Sequence, residues 1–399
     1  MIRKIKIFRI VVCLAVLLLG IWYGAQKRRE YVPNVVVGAG LSGVVMAERI
    51  ANEQGQKVLV IERRDHVGGN VYDYKDENGI TVQKYGIHAF HTDNEDVWQY
   101  LSKFTKWHNY KHQALAETFK GLVNFPVNLN TIDQLFEADF AQDFIKRLTN
   151  KFGIGQKISV SDLQNDQDQV LQKGANILFE ELFKNYTIKQ WGMKPEDVDP
   201  SVIARVPIYL TREDAYFTDK YQGIPAQGYT AMIKKMLDNP LIEVRLNTDW
   251  RDVRDKLKYD KLFFSGSADA FFDYKFGKLP YRSLSFELKV FPKEHYQPRA
   301  QVNHGNAPRM TRSIEHKYLL DETAPVTTVS FEYPEAYNGK NERYYPINKP
   351  ENAALYEKYM QEAEKLPNVY FFGRLGDYKY YNMDQAVARA LELYRKVFK

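Results

Sequence analysis

The chain has 399 residues, 44% of them hydrophobic, which suits a globular protein of two or three packed domains. The formal net charge of +6 sits in the first thirty residues, where Arg3, Lys4, Lys6, Arg9, Lys27, Arg28 and Arg29 face one acid, Glu30; the balanced remainder offers no general basic surface for nucleic acid. The one cysteine, Cys13, excludes a disulfide framework, a CxxC redox pair (and with it a flavin disulfide reductase) and a cysteine zinc site.

The first element is the uncharged run Ile10–Ala25, flanked by basic residues. It is shorter than the ~20 residues of an ordinary membrane span. Trp22 and Tyr23 suit a membrane interface. Residues 1–30 are therefore expected to form a membrane anchor or an interfacial segment. A signal peptide and a hydrophobic tail packed on the surface are the competing readings, and no small-x-small cleavage site is obvious.

Residues 31–75 read as a βαβ unit: strand Tyr31–Val37, a helix from about Leu41 through Ala47, Ile50 and Ala51, and strand Lys57–Glu62. Between strand and helix lies Gly38-Ala39-Gly40-Leu41-Ser42-Gly43. Its glycines allow a tight turn, close approach to a pyrophosphate and tight helix–strand packing, and the helix N-terminus offers free N–H groups to the anion. Glu62, at the end of the second strand, can accept from ribose hydroxyls. A dinucleotide is expected here. A second glycine pair, Gly68-Gly69, follows Arg63 and precedes Asn70. Together with the late strand–glycine–helix element around residues 368–398, it favours FAD over NAD.

Residues 92–200 read as largely helical, including Ala175–Lys184, with Ser161–Gln169 as a surface connection. Short pieces follow over 205–224. Strands are expected at Ile242–Leu246, Lys261–Ser265, Ser283–Phe291, across 310–346 and at Asn368–Phe372. A glycine turn then leads to a last helix that starts near Met383. The fold class is α/β: a Rossmann-like FAD-binding domain with an inserted mainly helical domain and a mixed or antiparallel sheet domain. The divisions expected are 1–30, 31–91 for the FAD part, 92–200 for a helical substrate domain, 201–345 for the sheet domain with interleaved FAD-binding strands, and 346–399 for the return to the FAD domain.

Several separate segments carry a family resemblance. Among them are His66-Val67-Gly68-Gly69-Asn70, Tyr85-Gly86-Ile87-His88-Ala89-Phe90-His91-Thr92, Phe125-Pro126-Val127-Asn128-Leu129 and Tyr186-Thr187-Ile188-Lys189-Gln190-Trp191-Gly192. Tyr281-Arg282-Ser283-Leu284, Thr311-Arg312-Ser313-Ile314-Glu315-His316-Lys317, Tyr344-Tyr345-Pro346 and Gly373-Arg374-Leu375-Gly376 continue the pattern. In order and spacing, from about residue 32 to 399, they resemble the UDP-galactopyranose mutases. The resemblance implies a nucleotide-sugar isomerase that holds FAD non-covalently and works with the flavin reduced. The flavin N5 attacks the anomeric carbon, UDP leaves and returns, and the sugar changes between six- and five-membered rings without net redox change. It also implies a supply of galactofuranose for surface polysaccharide and partners in a UDP-sugar and a flavin-reducing system; because these are supplied in the cytoplasm, the catalytic part is expected there, with residues 10–25, outside the resemblance, at the inner membrane face. A homodimer and a membrane surface remain open as further associations.

Residue by residue, the resemblance puts Arg205 and Arg312 on the substrate pyrophosphate, where they would stabilise the departing UDP. Tyr186, Tyr216 and Tyr345 would bind the diphosphate, and Tyr380 would approach phosphate and sugar. Phe183 and Tyr186 would flank uracil, Trp191 would line the cleft, Asn128 would touch the sugar or a loop, and Arg282, Arg374 and Asn382 would complete substrate binding. His88 would contact flavin and serve catalysis. The cofactor set is Gly38, Ala39, Gly40, Ser42, Gly43, Glu62, Arg63, Gly69, Asn70, His88, Arg374 and Met383. The pair His88 and His91 lacks the acid cluster or HExxH helix of a metal site, and none is expected. Two departures stand out. Asn382 replaces the usual aspartate, which bears on the sugar, and Ile87 replaces a common proline, which should loosen the His88 loop. Alternatives are a mutase for a dTDP-6-deoxygalactose or UDP-N-acetylgalactosamine substrate, an amine-oxidase-like flavin oxidoreductase, and an inactive membrane-bound binding protein.

Overall fold

The structure is a computed structural model and describes residues 29–193 and 207–399. The proposed anchor over residues 10–25 and Arg205 lie outside the described residues. Among those described, no helix is long and apolar enough to cross a membrane.

A five-stranded parallel sheet carries the glycine turn. Its order is Ile242–Arg245, Val58–Ile61, Asn34–Val37, Lys261–Phe264, Val369–Phe371. The strands Asn34–Val37 and Val58–Ile61 are buried throughout, as β-branched and apolar runs covered on both faces should be. The expected strand Tyr31–Val37 is divided. Glu30–Tyr31 pairs instead with Leu257–Lys258, and Pro33, which has no N–H to donate, marks the break. Helix Leu41–Gln54 packs against the C-terminal helix Met383–Phe398, so the first and last parts of the described chain share one core.

The second sheet has seven strands, in the order Tyr345–Pro346, Tyr281–Phe291, Thr327–Ala336, Arg312–Glu315, Gln301–Asn303, Ala114–Thr118, Gly121–Phe125. All its pairings are antiparallel except that between Gln301–Asn303 and Ala114–Thr118. The last two strands correct the reading of 92–200 as largely helical. They form a hairpin around Gly121 (φ +102°), and their buried faces serve the seven-stranded sheet and the core of the helical part. The helical part proper runs from Leu129 to Trp191. Helix Gln169–Leu178 passes into a π-helical turn, Phe179–Lys184, and then into helix Asn185–Trp191, so Ala175–Lys184 is not one regular helix.

Candidate active site

Two clefts meet between the sheets. The first, about 380 Å³, is built on the βαβ unit and is lined by Gly38, Gly40, Ser42, Glu62, Arg63, Gly69 and Asn70 from the N-terminal half. Close packing dictates its glycines. A Cβ on Gly43 would lie 1.9 Å from the Gly38 carbonyl oxygen, and one on Gly69 would lie 2.8 Å from Gly40 Cα. Gly40 begins helix Leu41–Gln54 with no side chain capping it, which leaves N–H groups for an anion. The Glu62 carboxylate accepts from Ala39 N (2.8 Å) and Arg64 N (2.9 Å) at the base of the cleft. Ala39 and Gly43 thus shape the turn from behind and do not line the cleft.

Arg64 is the residue that the sequence reading missed here. Its guanidinium stacks over Tyr85 (4.4 Å) and donates through Nη2 to Asn70 Oδ1 (3.0 Å) and to Glu342 (2.8 Å). Its Nη1 is buried and has no hydrogen-bond partner among the described residues. Arg63, chosen from the sequence, is half exposed. The signal was the Glu-Arg-Arg run itself, which does not say which arginine turns inward. Glycines that admit a close anion, an uncapped helix end, a carboxylate and an inward cation together fit the diphosphate and ribose of FAD.

The second cleft, about 430 Å³, is lined by Phe183, Tyr186, Trp191, Tyr216, Arg312, Tyr345 and Tyr380. The π-helical turn and the helix after it bring Phe183, Tyr186 and Trp191 to one wall. Tyr345 and Tyr380 stack (5.7 Å, 21°), and the Arg374 guanidinium lies 4.7 Å from the Tyr380 ring centre. Burial raises the pKa of Tyr186 and pushes that of Tyr345 up to about 12, so both phenols remain protonated donors near neutral pH. Arg312 is held by Glu332 through hydrogen bonds of 2.7 to 2.9 Å. Glu332 had no sequence signal, because only strand register sets it opposite Arg312.

Asn70, His88, Arg374, Asn382 and Met383 line both clefts and so mark their junction. His88 Nδ1 lies 2.9 Å from the Gly86 carbonyl, which fixes the proton on Nδ1 and leaves Nε2 as an acceptor. Burial first, then Arg374 and Arg312, lower its pKa to about 4. Beside Ile87 the backbone of the loop is tied by side-chain hydrogen bonds. Gln83 bonds both the N–H and the carbonyl of His88, and Tyr229 donates to the same carbonyl.

A model of the UDP-galactopyranose mutase family matches residues 181–380, and one of the NAD(P)-binding Rossmann-like domain matches 36–104. A probable UDP-galactopyranose mutase of Klebsiella pneumoniae is 38% identical over 361 residues, 90% of this chain and 92% of the relative. The chain belongs to the UDP-galactopyranose mutase family. A dTDP-fucopyranose mutase of Escherichia coli is 34% identical over 366 residues, 90% of this chain and 96% of that protein. The crystal structure of a reduced UDP-galactopyranose mutase shares the fold, with a TM-score of 0.67 at 16% identity over 92% of this chain and 93% of that one.

Two residues carried over from the mutase family do not reach the clefts. Asn128 is buried and caps helix Leu129–Leu135, accepting from Thr131 N; its amide donates to Asp214 and to the Glu213 carbonyl, so it touches the 213–214 loop rather than a sugar site. Arg282 donates to the Gln190 and Lys189 carbonyls and secures the C-terminal end of the mutase helix that carries Trp191. Lys189 works from the same helix. Its ammonium donates to the carbonyls of His304, Ala307 and Met310, and burial lowers its pKa to about 8.

Proposed function

We propose that the chain interconverts UDP-galactopyranose and UDP-galactofuranose at the junction of the two clefts. The observation that carries the reading is that junction itself: a dinucleotide cleft opens directly into a cleft of tyrosines and arginine. Gly38, Gly40, Ser42, Glu62, Arg64, Gly69 and Asn70 would hold FAD, with Met383 and the start of the last helix toward its ring. Reduced FAD, when bound, supplies a nucleophilic N5 for the anomeric carbon with no net transfer of electrons.

The remaining work falls to the chain's own residues. Arg312, already oriented by Glu332, donates to the diphosphate as negative charge develops on leaving UDP. Tyr186, Tyr216, Tyr345 and Tyr380 donate phenolic hydrogens to the same group. Arg205 is the second cation of this clamp. Phe183 and Tyr186 flank the base, and Trp191 offers an apolar wall that excludes water. Arg374, over Tyr380, and Asn382 face the sugar. His88, neutral and with Nε2 free to accept, orients the reacting partners; with a pKa of about 4 it is a weak base at neutral pH. The segment 10–25 would keep this activity at the inner face of the membrane, near a flavin-reducing partner.

The test is to incubate the dithionite-reduced protein with UDP-galactofuranose and separate the ring forms. Pyranose should appear with reduced protein and be absent with fully oxidised protein. Equal rates in both states would sink the reading.

A further inference from the structure

Residues 337–343 join strand Thr327–Ala336 to strand Tyr345–Pro346 and run along the first cleft, which Tyr337, Gly339, Asn341, Glu342 and Arg343 help to line. The segment is built as a unit. Asn338 Oδ1 accepts from Lys340 N (2.9 Å) and Asn341 N (3.1 Å), Asn341 Oδ1 accepts from Asn338 N (3.0 Å), and Asn341 Nδ2 donates to the Ala336 carbonyl (3.0 Å). The Arg343 guanidinium lies 4.4 Å from the Tyr337 ring centre.

One side chain ties this unit to the opposite wall. The Glu342 carboxylate accepts from Arg63 and, at 2.8 Å, from Arg64, the two residues that directly follow Glu62. Among the described residues no other hydrogen bond joins 337–343 to residues 34–75, the half of the cleft that carries the glycine turn. The carboxylate is 28% exposed, so the bridge is open to competition from water and salt.

We propose that residues 337–343 form a strap over the bound cofactor and that Glu342 is the positioning residue that latches it, so that FAD enters and leaves when the bridge to Arg63 and Arg64 opens. The inference rests on FAD occupying this cleft. It has a sign that distinguishes it from simple electrostatics. An acid beside a diphosphate repels it and leaves two guanidiniums partly neutralised. Were that its main effect, removing the acid would tighten FAD and slow release. A latch demands the opposite: removal speeds both release and capture.

The experiment compares wild type with Glu342→Gln and Glu342→Asp. Capture is followed by the change in FAD fluorescence on mixing with apoprotein, and release by the fluorescence that appears on dilution. Glu342→Gln should raise both rates about tenfold, and its release rate should depend less on NaCl than that of wild type. Glu342→Asp keeps the charge but shortens its reach and should fall between them. It also carries the test if the Gln apoprotein loses its far-UV circular dichroism. Unchanged or slower release in the variants overturns the latch. Wild-type apoprotein that takes up no FAD fails the cofactor assignment instead, so the two failures are distinct.

Discussion

Arg312 and Glu332 are register partners on adjacent antiparallel strands, and the fully buried Glu332 carboxylate takes three hydrogen bonds from the Arg312 Nε and Nη2. The acid fixes the plane of the cation before substrate arrives. Arg312→Ala should lose about 3 kcal/mol of transition-state stabilisation, roughly 10²-fold in kcat/KM, with FAD content unchanged. Glu332→Gln keeps the shape but loses the charge and should cost about tenfold. Arg205→Ala should resemble Arg312→Ala. Steady-state assays of ring interconversion measure all three, and normal turnover in Glu332→Gln would remove its orienting role.

The glycine turn gives a prediction with a visible readout. Gly40→Val puts a branched side chain where the diphosphate must approach the helix end. The wild-type protein should be yellow and release free FAD on denaturation. The variant should be colourless and fail to bind added FAD in a spectrophotometric titration. A yellow variant with wild-type affinity would move the cofactor elsewhere.

His88 at the cleft junction and the buried His112 and His316 have pKa values lowered to about 4, in each case chiefly by loss of solvation. Between this value and their ordinary value near 6.5, the unfolded chain binds protons that the folded chain does not. Their contribution to stability is therefore intact above that window and is lost as pH falls through it. His316→Gln should reduce the slope of unfolding free energy against pH by up to about one proton in this window. Urea titrations at several pH values test it, and parallel slopes for wild type and variant would assign the acid sensitivity to other groups.

Asn382 lies at the cleft junction, and its N–H donates to Gln385 Oε1 at the start of the last helix. Asn382→Asp restores the residue usual in the family while keeping the fold of the cap. It should change the relative rates with galactose, 6-deoxygalactose and N-acetylgalactosamine nucleotides. An unchanged ratio would show that position 382 does not select the sugar.

The N-terminal segment is tested by fractionation. Full-length protein should sediment with inner membranes, and a chain starting at Tyr31 should be soluble and active. Protease outside intact spheroplasts should leave the catalytic part uncut. Digestion there would reverse the proposed orientation, and a wholly soluble full-length protein would remove the anchor.

What could be read from the sequence was local. The turn from Gly38 to Gly43, the acid Glu62 and the helix from Met383 announce themselves within a few residues, because a strand, a turn and a helix each have their own period. The substrate cleft was legible through family motifs, which bring residues together without stating how. That is why Arg282 turns to hold carbonyls instead of facing the cleft, and why Asn128, expected on the sugar or a loop, caps a helix beside the 213–214 loop. Glu332 and the strands Ala114–Thr118 and Gly121–Phe125 depend on pairing between distant segments, and alternation along a short strand carries no record of its partner.

The wide π-helical turn at Phe179–Lys184 sets an angular phase. Each residue of an α-helix advances the side-chain direction by about 100°. Helix Gln169–Leu178 keeps Leu171, Ala175 and Leu178 on the inner core, and helix Asn185–Trp191 directs Tyr186 and Trp191 to the cleft. The extra backbone in the turn reconciles these two directions. Rewinding the same six residues as ordinary α-helix would swing everything after them by about that angle relative to the core, whereas losing one residue together with the wide turn would leave the phase nearly unchanged. The cleft wall is thus specified by how tightly the chain is wound as much as by its chemistry, and a substitution that tightened 179–184 into ordinary helix without changing its length would rotate Tyr186 and Trp191 away together.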